Sequence, residues 1–128
     1  MGADSPSNYE DVALILIVDD NPSFCASART LLEREGYEVA EAADGTSGLA
    51  RAGQLRPALV LLDIQLPDMD GFEVADRLAA LEPAPAVVLI SSRAASDYGS
   101  LVATSPARGF ISKSELSAES IRTVVALG

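Results

Sequence analysis

The chain reads as one α/β domain, a doubly wound five-stranded parallel sheet with five helices on both faces. Two observations carry that reading. Leu14–Val18, Leu59–Leu62 and Val87–Ile90 are unbroken apolar runs, too short for helices and lacking polar alternation, as expected of central parallel strands buried on both faces. Between them lie amphipathic helical patterns, so that strand and helix alternate five times along the chain, and right-handed crossovers turn that order into a single sheet.

Each element has its own signals. After the first run, Asn21 and Pro22 are an N-cap and a first-turn proline, leading into a helix with Phe24, Ala28, Leu31 and Leu32 on one face and Gly36 at its end. YEVAEA alternates partially and is a weaker strand, as is ARGFIS near the end. Further helices are expected at about 45–54, 71–81, 95–103 and 117–127, the last capped by Ser117. Residues 1–11, MGADSPSNYED, are polar and without periodicity and are expected to fray, leaving 12–128 as the domain.

Composition excludes several functions. Nine basic against 19 acidic residues, a net charge of −10, argue against a nucleic-acid surface, which depends on clustered Lys and Arg. The absence of histidine removes Ser-His-Asp hydrolysis and histidine metal sites. One cysteine, Cys25, makes no internal disulfide, and the chain has no leader and no apolar run long enough to span a bilayer, so a reducing cytoplasm is expected.

In open parallel sheets ligands bind beyond the carboxyl ends of the strands. Asp19 and Asp20 follow the first run, Asp63 the third strand, Ser91 and Ser92 the fourth, and Lys113 the fifth. Taken singly each is an ordinary loop residue. Lys113, however, is the only lysine, the other eight basic residues being arginine, and a compact point charge beside carboxylates suits a site where a planar fork would not. Three gathered carboxylates repel one another unless a cation sits among them, and oxygen ligands without His or Cys point to Mg²⁺. The cluster therefore suits phosphoryl transfer, with Asp63 as nucleophile, Asp19 and Asp20 on the metal, and Lys113 and Ser91 neutralising the phosphoryl oxygens.

VDDN, LLDIQLPDMDGFEV, LISS and GFISKSEL together resemble the receiver domain of bacterial two-component response regulators, over roughly residues 12–127. The resemblance implies the flavodoxin-like strand order 2-1-3-4-5. It implies Asp63 as phosphoacceptor, Asp19 and Asp20 as the acidic pair and the main-chain carbonyl of Gln65 as a further Mg²⁺ ligand. Ser91 would be the switch hydroxyl, Phe110 the switch aromatic and Lys113 the conserved-type lysine. The donor would be a phosphohistidine on a sensor histidine kinase or histidine phosphotransfer protein. Output, or homodimerisation, would use the surface of the fourth helix, fifth strand and fifth helix. Such a domain catalyses only its own phosphorylation and dephosphorylation.

Two departures stand out. The family's lysine is commonly followed by proline, whereas Ser114 follows here; a cis bond without proline costs about 2.5–4 kcal/mol, so trans is expected. The KSEL ending is like that of receivers fused to helix-turn-helix output domains, yet none follows Gly128, so a stand-alone receiver acting on a downstream protein is expected, with a fragment of a longer regulator as the alternative. Rival readings are a degenerate receiver that only binds proteins and a Mg²⁺-dependent phosphatase with an aspartyl nucleophile. The phosphatase would typically carry an acid at position 65, which is Gln.

Overall fold

Residues 13–127 are described by a computed structural model. Residues 1–12 and Gly128 lie outside the described residues, and with them the segment expected to fray. Five strands, β1 (Leu14–Val18), β2 (Glu38–Ala42), β3 (Leu59–Asp63), β4 (Ala86–Ser91) and β5 (Gly109–Ser112), form one all-parallel sheet in the order 2-1-3-4-5, as expected. The helices are α1 (Pro22–Arg34), α2 (Gly45–Leu55), α3 (Gly71–Ala79), a one-turn α4 (Leu101–Thr104) and α5 (Ala118–Leu127).

The three apolar runs lack alternation because both faces of the sheet are covered. Ile15 and Ile17 of β1, Leu59 and Leu61 of β3, and Val88 and Ile90 of β4 pack with Cys25, Ala28 and Leu32 of α1 and Ile121 of α5. Leu16, Val18, Val60, Leu62, Val87 and Leu89 face the other way, onto Ala52 of α2 and Val74, Ala75 and Leu78 of α3. Successive side chains along a strand alternate faces, so each run feeds two cores at once. Each fully buried aliphatic side chain contributes about 1.5–3 kcal/mol, offset by about 1–2 kcal/mol for ordering its backbone.

Helix starts are secured by side chains that accept otherwise unpaired N–H groups. Asn21 accepts from Phe24 N at 3.1 Å ahead of Pro22. Asp70 caps α3 through Phe72 N at 2.9 Å. Ser117 and Ser120 exchange reciprocal 2.9 Å bonds at the start of α5, the cap expected there. At α2, Asp44 takes Ser47 N at 2.8 Å, and a second acid from the β3–α3 loop, Asp68, takes Gly45 N at 2.7 Å, Thr46 N at 2.9 Å and Thr46 Oγ1 at 2.7 Å.

That brace is titratable. The Thr46 hydroxyl and the two N–H groups hold the Asp68 carboxyl down to about 2. With an unfolded value near ~3.9, its contribution is complete above that pH and lost as pH falls toward the folded value. An NMR titration is therefore expected to show the Gly45 and Thr46 amide signals moving with the Asp68 carboxyl in that acid range, and Asp68→Asn to erase the transition.

The expected helix at 95–103 is corrected. A 3₁₀ turn, Ala95–Tyr98, is separated from α4 by Gly99, whose φ of +61° favours glycine and interrupts helical geometry. Beyond it, Ser105 is extended and Pro106 follows, so α4 stops after four residues. The other helices lie within two residues of their expected bounds. No helix among the described residues is long and apolar enough to cross a membrane.

Candidate phosphoryl-transfer site

β1 and β3 are neighbours in register, with Val18 beside Leu62, so the residues that follow arrive together at the carboxyl edge. Carboxylate oxygens of Asp19, Asp20 and Asp63 all lie within 4.8 Å of one another. Asp19 and Asp63 are buried, at 2% and 5% exposure, while Asp20 is exposed. Asp19 Oδ1 accepts from Asn21 N at 2.9 Å, which links the acidic pair to the α1 cap. Asp63 Oδ1 accepts from Gln65 N at 3.1 Å.

Lys113 reaches in from the end of β5. Its Nζ is 2.7 Å from Asp19 Oδ2 and 3.3 Å from Asp63 Oδ2, and lies over the Phe24 ring, 4.8 Å from its centroid. Three contacts thus define one position for the ammonium. The Lys113–Ser114 bond is trans as expected, the cis bond among the described residues being Glu82–Pro83.

The electrostatics follow from this crowding. Burial first, then the charge of Asp19, raise the Asp63 carboxyl above its ordinary range, against the opposing pull of the Gln65 N–H and Lys113. For Lys113, burial acts to lower the pKa, but hydrogen bonds and charge from Asp19 and Asp63 outweigh it and raise it. An oxygen-only set of three close carboxylates, two of them buried and served by one ammonium, fits a hard divalent cation such as Mg²⁺.

The loop after Asp63 is built for close approach. Ile64 N bonds Ile90 O at 3.1 Å and Gly71 N bonds Ile64 O at 2.9 Å. A Cβ on Gly71 would lie 2.5 Å from Asp63 O and 2.6 Å from Ile64 Cα, so only glycine lets α3 start against the strand end.

Of the six groups that follow the strands, four converge: Asp19, Asp20, Asp63 and Lys113. Ser91 lies at the same edge but bonds elsewhere. Because Asp63 is level with Ile90, Ser91 is one residue out of phase, on the face of Leu89 and its β5 partner Phe110. There its fully buried Oγ lies 2.6 Å from Tyr98 Oη and accepts from Arg93 N at 3.0 Å. Phe110 is half-buried, its ring 6.4 Å from that of Tyr98, which stands edge-on to Phe72 at 5.8 Å. Ser92 is exposed. Phe24 and Tyr98 are the residues that sequence reading did not assign to this edge; the capped start of α1 hinted at the first, and nothing in the spacing hinted at the second.

Residues 15–126 match the response regulator receiver domain family. The chain belongs to that family. Among curated relatives of this receiver domain, the positive transcription regulator BvgA of Bordetella pertussis is 38% identical over 102 residues, 79% of this chain and 49% of the relative. The DNA-binding transcriptional activator EvgA of Escherichia coli is 32% identical over 101 residues, 78% of this chain and 50% of the relative. The receiver domain thus spans about half the length of these curated relatives. Among solved structures, a CheY-like receiver domain protein from Methanospirillum hungatei matches with a TM-score of 0.80 at 30% identity, covering 91% of this chain and 93% of its own. The chemotaxis response regulator CheY4 of Vibrio cholerae matches with a TM-score of 0.78 at 25% identity, covering 91% and 99%. The fold and the two-component signalling class expected from the motifs are those of this family.

Proposed function

We propose that this receiver domain accepts a phosphoryl group on Asp63 from a phosphohistidine of a sensor kinase or phosphotransfer protein, in the cytoplasm, and passes the signal on through an altered surface. The observation that carries this reading is the buried Asp63 carboxylate, bridged to buried Asp19 by the only lysine of the chain. Asp19, Asp20 and Asp63, with the main-chain carbonyl of Gln65, would hold Mg²⁺, which when bound supplies positive charge to the phosphoryl oxygens.

The carboxylate oxygen of Asp63 attacks phosphorus. A P–O bond forms as the P–N bond to the donor imidazole breaks, and the electron pair leaves with that nitrogen. Lys113, already 3.3 Å from Asp63 Oδ2, stays beside the added charge, and its contacts to Asp19 and Phe24 keep it from following solvent. Ser91 supplies a hydroxyl once its proton turns toward the site. These 128 residues contain no histidine, so the donor imidazole lies outside them. The domain is no turnover enzyme: it acts once on itself and later loses the group to water. Being acidic, it leaves DNA contact to a partner or to the rest of a longer regulator.

Incubation with phosphoramidate and Mg²⁺, followed by intact-mass measurement, is expected to add one phosphoryl group that persists through the measurement. Turnover of the donor without accumulation would support the phosphatase reading, and an unchanged mass the degenerate one.

A further inference from the structure

The partners of Ser91 have a consequence for how the domain senses its own modification. A serine hydroxyl has one proton and two lone pairs. Arg93 N occupies one lone pair of Oγ at 3.0 Å, and the acceptor within reach of the proton among the described residues is Tyr98 Oη at 2.6 Å. Ser91 is fully buried, where a proton without an acceptor is costly. In this state, therefore, Ser91 donates to Tyr98. Donating to a phosphoryl oxygen on Asp63 instead means giving Tyr98 up.

Tyr98 sits where that loss would be felt. It is the last residue of the 95–98 turn, immediately before the positive-φ Gly99 and the single turn of α4. Apart from the bond to Ser91, its anchors are the Phe72 ring at 5.8 Å and the Phe110 ring at 6.4 Å. Neither α4 nor the 95–98 turn contains a buried residue. With so little apolar burial, this segment depends on few contacts. Phe110 carries no hydroxyl, and Tyr98 supplies one from a different element.

We infer that Tyr98 is the positioning residue that holds the Ser91 hydroxyl away from Asp63 in the unmodified domain, and that surrender of the Ser91–Tyr98 bond on phosphorylation releases residues 95–104. This rests on the phosphoacceptor reading of Asp63. Tyr98→Phe keeps the ring and removes the competing acceptor. It is expected to tighten binding of beryllofluoride with Mg²⁺ by about three- to tenfold, the worth of one hydrogen bond. Amide exchange across 95–104 in the free variant is expected to rise toward that of the beryllofluoride-bound unaltered protein.

In a Ser91→Ala background the same substitution should change binding by less than about twofold, since nothing is left to compete for. Equal or weaker binding by Tyr98→Phe, or an undiminished gain in the Ser91→Ala background, would overturn the inference. The unaltered protein supplies an independent reading: its Tyr98 ring signals are expected to shift when beryllofluoride binds, and stationary signals would overturn the latch. Absence of binding at Asp63 in the unaltered protein would instead defeat the phosphoacceptor reading, and the latch with it.

Discussion

Asp63→Asn is expected to reduce phosphoryl incorporation to background and at the same time to stabilise the metal-free domain. Asparagine fills the same space and can still accept from Gln65 N, but it presents no anionic oxygen to phosphorus. The stability gain follows from the raised Asp63 pKa, caused by burial and by Asp19. A carboxyl that binds its proton more tightly when folded imposes no penalty below its unfolded pKa. The penalty grows as pH rises through the folded value and is complete above it. Wherever the pH exceeds that folded value, the native carboxylate is therefore a burden that asparagine removes. Intact-mass analysis and denaturant titrations with and without Mg²⁺ check both halves: labelling lost, and a higher unfolding midpoint in EDTA that Mg²⁺ no longer raises much further. Sustained labelling of the variant would move the phosphoacceptor to another carboxylate.

Lys113→Ala should have the next largest effect, in the opposite direction for stability. It strips the ammonium from two buried carboxylates, and breaking a buried pair by removing one partner costs about 3–5 kcal/mol. The lower end applies, because the Lys113 side chain is 16% exposed and already partly hydrated. Its raised pKa means that its contribution is fully present at neutral pH and fades only as pH rises through the folded value. Labelling should slow by about a hundredfold, the usual cost of one lost charge-stabilising group. Mg²⁺ should partly replace the missing charge, so the rise in melting temperature on adding Mg²⁺ should be larger for Lys113→Ala than for the parent. A smaller rise would mean that lysine and metal do not share the same carboxylates.

What could be read from the chain alone divides along physical lines. β1, β3 and β4 were legible because a strand buried on both faces writes an uninterrupted apolar run, and the Asn21–Pro22 cap was legible because capping is local. Asp19, Asp20, Asp63 and Lys113 were legible because parallel strands in register deliver whatever follows them to one edge. α4 was not, since Leu101–Thr104 has no periodic buried face and the break depends on one backbone angle at Gly99. The orientation of Ser91 was also hidden. It rests on a one-residue phase difference between β3 and β4, and on a tyrosine brought beside it by a turn that sequence reading merged into a helix.

Cys25 occupies the floor beneath the acidic pair, buried, with its Sγ 3.5 Å from the carbonyl oxygen of Asp19. Burial foremost, then the charges of Asp19 and Glu41, push its pKa up to about 11. Peroxides and alkylating agents attack the thiolate, and at neutral pH this cysteine is held as the thiol. Burial and the neighbouring acids thus also keep the sulfur beside Asp19 in its protonated, weakly nucleophilic form.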